Sequence, residues 1–177
     1  MTQDERRLVS EHLHFKVFQE DVEVAPGVIE THEYVWRKDG TRIIALNDKH
    51  EVLIQKEFRY EFSDFDWRVP GGRLNHQDEP YLTGAQREFR EETGFEARQW
   101  NFLWTTTLES TVRYQRHFFL ARDIFFVGVD RDPGELRTET HWIPIHDVNE
   151  MALSGQIREE ISALAIARIH HSKMWVD

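Results

Sequence analysis

The chain contains no cysteine, which excludes disulfides, thiolate zinc sites and a cysteine nucleophile together and fits a reducing compartment. Positive charge is also scarce: 22 Lys and Arg stand against 32 Asp and Glu, a formal net charge of -10. So acidic a protein repels polyanions, so neither nucleic acid nor an anionic membrane is expected as a partner, and an anionic substrate needs local cations. Long apolar runs are missing too. The longest covers residues 124–129, far short of the roughly 20 residues of a membrane helix. Met1-Thr2-Gln3-Asp4-Glu5-Arg6-Arg7 leads into no apolar core of the kind a secretory signal carries, and a soluble cytoplasmic protein is expected. Repeats, low-complexity tracts and linkers are absent. With 177 residues, 40% of them hydrophobic, the chain can bury one sizeable core, and a single domain over 1–177 is expected.

What is present begins with strand signals. Phe15-Lys16-Val17-Phe18, Glu33-Tyr34-Val35-Trp36 and residues 41–46 and 52–58 are short β-branched or aromatic runs between polar turns. Lys38-Asp39-Gly40 carries the Asp-Gly signal of a tight hairpin, and Asn47-Asp48-Lys49-His50 a second turn, so the first half reads as an antiparallel meander. Val69-Pro70-Gly71-Gly72 breaks regular structure. A helix is expected to start at Asp78 or Glu79, with Pro80 in its first turn, helix formers over 85–92 and Gly94 as its C′ stop. Strands resume near 99–108, 115–121 and 141–145, and residues 147–171 place apolar side chains at helical spacing. The expected class is α+β, with helices packed on a sheet.

On that helix Glu88, Glu91 and Glu92 fall within one sector, because three or four residues return a side chain to nearly the same face. Like charges so spaced destabilise a helix by roughly a few tenths of a kcal/mol per pair. A hard cation such as Mg²⁺ or Mn²⁺ turns that repulsion into coordination. A merely solvated acidic face is the plain alternative, but Gly71-Gly72 allows close backbone approach and offers a carbonyl opposite the carboxylates.

Gly71-Gly72, Glu79 and the run Arg87-Glu88-Phe89-Arg90-Glu91-Glu92-Thr93-Gly94-Phe95 resemble the signature box of the Nudix hydrolases, G-x5-E-x7-R-E-U-x-E-E-x-G-U with U apolar. From Glu79 onward every defined position matches. Ahead of it six residues, 73–78, follow Gly72 where the pattern has five, an insertion that a bulge before the helix accommodates. Further stretches, Val52-Leu53-Ile54-Gln55-Lys56-Glu57-Phe58-Arg59-Tyr60, His117-Phe118-Phe119-Leu120-Ala121-Arg122-Asp123 and residues 151–168, are similar to the ADP-ribose and nucleotide-sugar pyrophosphatase branch.

The resemblance implies a Nudix-type α/β/α sandwich with a mixed sheet, preceded by an N-terminal antiparallel strand meander. It places N-terminal strands, a possible dimerisation region, over about 1–46 and the catalytic core with its closing helix over about 47–171. It makes Glu88, Glu91, Glu92 and the Gly71 carbonyl the ligands of Mg²⁺, with Mn²⁺ as the alternative. Arg87 orients a box glutamate, and Glu79 serves as a supporting acid. The implied reaction is attack of a metal-activated water on one phosphorus of a diphosphate, with Glu139 first and Glu135 second as the base. Arg59 and Phe58 form the aromatic-Arg pair that meets the substrate, and Arg59 alternatively makes a surface ion pair. Trp36, with Tyr34, either stacks on a base or packs in a core or dimer. The substrate is a nucleoside diphosphate linked to another moiety, ADP-ribose or a nucleotide sugar first, a nucleoside triphosphate or dinucleoside polyphosphate second. A homodimer is expected by the same analogy. A non-catalytic nucleotide sensor is the rival of another class, which the intact box disfavours.

Overall fold

The computed structural model describes residues 6–75, 79–128 and 138–176. Two compact units divide the chain, Met1–Asp39 with Thr105–Arg116 and Gly40–Trp104 with His117–Asp177.

In the first unit, β1 (Arg6–Glu11), β2 (Phe15–Ala25) and β3 (Val28–Arg37) form an antiparallel meander. The start of β8 (Val112–Phe126) pairs with β3 in parallel, Val35 opposite Val112. Tyr34 is buried between Phe18, ring centroids 5.6 Å apart, and the Arg113 guanidinium, 3.6 Å from its ring centroid. Arg113 in turn pairs with Glu20 at 2.5 Å. The hairpin expected at Lys38-Asp39-Gly40 does not form, since β3 is bonded to β2 and β8 and not to β4 (Gly40–Ala45). The Asp39 carboxylate instead accepts the Gln115 N–H at 2.7 Å, which is Asp acting as a backbone partner rather than as a turn residue.

The second unit contains β4, β5 (Glu51–Arg59), β6 (Asp64–Arg68), α1 (Tyr81–Thr93), β9 (Thr138–Pro144), α2 (Ile145–Leu153) and α3 (Glu160–Ser172), with parts of β7 (Phe95–Glu109) and β8. β5 is central in an antiparallel ladder ordered β6-β5-β9, and β8 pairs with β4 and β7. Asn47 closes the β4–β5 turn as expected, its carboxamide oxygen accepting from Lys49 and Glu51 at 2.9 and 3.0 Å.

Successive strand residues point to opposite faces, and here both faces are covered. Ile44, Leu46, Val52, Ile54, Phe118 and Leu120 share one core with Ile145 and Val148 of α2 and Ile166 and Ile169 of α3. Their neighbours Ile43, Ala45, Leu53, Phe119 and Ala121 share another with Ala85 and Phe89 of α1. This is why Ile43-Ile44-Ala45-Leu46 reads as an unbroken apolar run. Fully burying a side chain of this size contributes about 1.5–3 kcal/mol. The result is the mixed-sheet α/β/α sandwich, the Nudix-type fold expected.

Two boundaries differ from expectation. Pro80 is the N-cap of α1 and no side chain caps it. The Glu79 carboxylate bonds Asn75 N at 2.7 Å and the Arg87 side chain at 3.2 Å instead, while Asp78 lies outside the described residues. The C-terminal helical stretch is two helices, broken where Gly155 takes φ +79° and restarted by Glu159, whose carboxylate accepts the Ser162 N–H at 3.1 Å.

Candidate active site

Gly71 and Gly72 run beside β4: Thr41 N donates to Gly72 O and Ile43 N to Pro70 O, both at 2.9 Å. Gly71 adopts φ +135°, and a Cβ there would stand 2.3 Å from the Thr41 carbonyl oxygen, so only glycine fits without displacing backbone. At Gly72 a Cβ would stand 2.2 Å from a Glu88 carboxylate oxygen. The Glu88 carboxylate rests in the space a side chain at Gly72 would need.

The Gly71 peptide is held at both ends. Its N–H donates to Glu92 Oε2 at 2.9 Å, and its carbonyl accepts from Arg42 Nη1 at 2.7 Å. α1 supplies the carboxylates because Ala85 and Phe89 occupy its core face, which turns Glu88 and Glu92 toward this loop; Gly94 in the left-handed conformation stops the helix, donating to Arg90 O at 2.8 Å.

Arg87 lies among three carboxylates. Nη1 donates to Glu88 and Glu91 at 2.9 Å each, and Nε donates to Glu79 at 3.2 Å. Burial alone would lower its pKa, but the Glu79 hydrogen bond, the Glu88 charge and the bonds to Glu88 and Glu91 raise it. Glu88 is raised as well, first by burial and further by the Glu91 charge, despite Arg87 and Arg42. The two shifts agree physically: one guanidinium is shared by three carboxylates, and none of them is fully neutralised by it.

That residual negative charge, and a donor set made only of hard oxygens, fits a divalent cation. Among the described residues no group of three or more His, Asp or Glu is already drawn together as a metal cage. Glu88 and Glu92 both meet the Gly71-Gly72 segment, while Glu91 is turned to Arg87 and half exposed. A cavity of about 550 Å³ borders α1 at Thr83, Gln86, Arg87, Arg90 and Glu91 and β7 at Trp100. Gly71, Glu88 and Glu92 are not in its lining, so it does not coincide with this site.

The NUDIX domain family model matches residues 36–164. The chain belongs to the Nudix family. An ADP-ribose pyrophosphatase of Mycobacterium tuberculosis is 27% identical over 94% of the chain and 84% of its own length. A CMP-5'-(N-acetyl-N-hydroxy-3-aminopropyl)phosphonate hydrolase of Streptomyces rubellomurinus is 28% identical over 92% of the chain and 79% of its own length. Among solved structures, an ADP compounds hydrolase superposes with a TM-score of 0.78 at 18% identity, covering 98% of this chain and 95% of that one, a likeness of fold. The protein is thus a Nudix hydrolase, and enzymes of this family generally use a divalent metal. Among the described residues no helix is long and apolar enough to cross a membrane.

Other candidates come from outside the Nudix box in the sequence. Arg59, at the end of β5, donates to Glu61 at 2.5 and 2.8 Å and to Glu57 at 3.1 Å, the surface ion pair that was the alternative. Phe58 packs edge-on against Tyr60 and Phe65, both at 5.4 Å. Glu139 sits in β9 opposite Lys56, exposed and 3.2 Å from His141. Glu135 lies outside the described residues. Trp36 is half-buried on β3 between Lys16 and Arg113 in register, and Tyr34 is core. Sequence reasoning missed Arg42, Glu159 and Ser162, which lie around the Gly71 carbonyl and Val69. The available signal was an arginine beside the apolar run 43–46.

Proposed function

We propose that this Nudix hydrolase cleaves the diphosphate of ADP-ribose or a nucleotide sugar to a nucleoside monophosphate and a sugar phosphate, with Mg²⁺ as its metal and Mn²⁺ as the substitute. The observation that carries the reading is the Gly71 peptide, gripped by Glu92 at its N–H and adjoining a Gly72 whose missing side chain admits Glu88. Glu88, Glu91, Glu92 and the Gly71 carbonyl would hold the cation in this reading. When bound, it neutralises phosphate oxygens and acidifies the attacking water. Arg87 holds Glu88 and Glu91 in place through charge-assisted hydrogen bonds. Arg59 exchanges Glu61 or Glu57 for a phosphate or ribose oxygen, with Phe58 packed beside it, and Trp36 offers a stacking face for a base. Glu139, or failing it Glu135, takes the proton of the nucleophile.

The substrate choice draws on the pyrophosphatase relatives of Mycobacterium tuberculosis and of Bacillus subtilis, the latter 25% identical over 85% of the chain. The Streptomyces relative supports a second reading, a CMP-linked substrate. A panel of ADP-ribose, ADP- and GDP-sugars, CMP conjugates, dinucleoside polyphosphates and dGTP, followed by ³¹P NMR with Mg²⁺ or Mn²⁺, tests both. ADP-ribose or a nucleotide sugar should turn over fastest; faster turnover of a CMP conjugate selects the second reading, and no turnover of any compound sinks both. We further propose that the chain works in the cytoplasm as one Nudix domain and as a homodimer joined through its N-terminal strands, whose Leu8, Val9, Val24, Val28 and Ile29 are exposed; light scattering at twice the monomer mass is the expected result.

A further inference from the structure

Arg42 follows the same strand parity as Ile44 and Leu46, whose core is shared with α2 and α3. It is a cation with only 8% of its side chain exposed. Burying a charge this deeply is costly unless it is paired and hydrogen-bonded. Nη2 meets Glu159 Oε1 at 2.5 Å. Nη1 reaches the carbonyls of Thr41, at 3.2 Å, and Gly71, at 2.7 Å. Glu159 is itself the N-cap of α3, bonded to the Ser162 N–H and hydroxyl, and the Ser162 hydroxyl oxygen accepts the Val69 N–H at 3.1 Å. One chain of hydrogen bonds therefore joins the start of the closing helix to both sides of Pro70 and ends on the Gly71 carbonyl.

A guanidinium beside a carbonyl that faces a divalent cation is a conflict of like charges unless its own charge is offset. Glu159 supplies the offset, and a carbonyl has a second lone pair free for coordination when the first is used by a donor. We propose that Arg42 and Glu159 are positioning residues for the cation site, Arg42 aiming the Gly71 carbonyl and Glu159 cancelling the charge Arg42 would otherwise present to the metal. The inference rests on the metal reading given above, and its test separates the two.

Mn²⁺ binding to the substrate-free protein, followed by electron paramagnetic resonance, is the readout, with melting curves to establish folding. Glu159→Gln should weaken Mn²⁺ binding about tenfold, because an unbalanced guanidinium bonded to the Gly71 carbonyl would oppose a cation there. The double variant Arg42→Gln/Glu159→Gln carries neither charge and should recover part of that loss, the remainder being the aim that Arg42 no longer gives the Gly71 carbonyl. A merely structural role predicts no such recovery. Unchanged binding by Glu159→Gln, or a double variant no better than the single one, overturns the inference while leaving the metal site standing. A wild-type protein that binds no Mn²⁺ sinks both readings. Should Glu159→Gln not fold, Arg42→Lys decides: it keeps the charge but loses the two-armed grip, so binding weakened about fivefold supports the positioning role and unchanged binding refutes it.

Discussion

The loop facing α1 and the end of β5, with β9 beside it, both carry charged residues, but they hold them in opposite ways. At the loop, Gly71 and Gly72 are clasped to β4, Glu92 is bonded to main chain, and Glu88 occupies the space of a missing side chain. At the end of β5, Arg59 is held by the carboxylates of Glu57 and Glu61, and on β9 Glu139 is exposed beside His141. In the reading proposed above, the first arrangement fixes metal ligands before anything binds, and the second offers partners that a substrate replaces. Groups that must meet a small cation need sub-ångström placement, whereas groups that meet a larger, variable substrate gain from exchangeable contacts.

The sharpest way to break this contrast is to remove a fixed donor. Glu92→Gln should keep the fold and lower kcat by about two to three orders of magnitude, since several kcal/mol of charge stabilisation depends on the metal and each 1.36 kcal/mol is tenfold; steady-state kinetics with near-normal turnover would contradict it. Next, the two glycines should part company. Gly71→Ala forces a Cβ against β4 backbone at positive φ and should cost about 2–3 kcal/mol in urea unfolding. Gly72→Ala meets only the flexible end of Glu88, so stability should change by less than about 1 kcal/mol while Mn²⁺ affinity falls. Equal destabilisation by both would erase the distinction.

A smaller effect concerns acid. Burial alone would raise the Glu159 carboxyl, but the Arg42 charge and hydrogen bond, the Ser162 bond and the Arg68 charge together hold it at about 2, against 4.5 unperturbed. Because the folded value is depressed, this stabilisation is fully present above pH 4.5 and is lost as pH falls toward 2. Wild-type stability should fall across that window by more than that of Glu159→Gln, a difference of about 2 kcal/mol in acid titrations of unfolding. Smallest of all, Arg59→Ala should raise KM about fivefold with kcat nearly unchanged, the mark of uniform binding lost; a kcat loss as large as that of Glu92→Gln would place Arg59 with the fixed donors.

The box was legible because its physics is local. Three glutamates on one helix sector, a glycine pair before it and a glycine stop after it are all readable from spacing, and Gly94 and the Asn47 turn appear where spacing put them. The hairpin at Lys38-Asp39-Gly40 was misread because Asp39 finds its partner at Gln115, 76 positions away. Pro80 took the capping place because Glu79 was drawn to Arg87 and Asn75.

By itself the sequence determined the local pattern: three glutamates at helical spacing beside a glycine pair, a box that resembles the Nudix signature, no cysteine, and apolar runs long enough to be buried on two faces. Only the tertiary structure decided that Arg42, Gly71, Glu159 and Ser162, spread over residues 42–162, share one set of hydrogen bonds. Helical spacing is set by backbone geometry within a few residues, whereas a buried ion pair is formed by whichever charges packing brings to the same place, and no spacing along the chain encodes that.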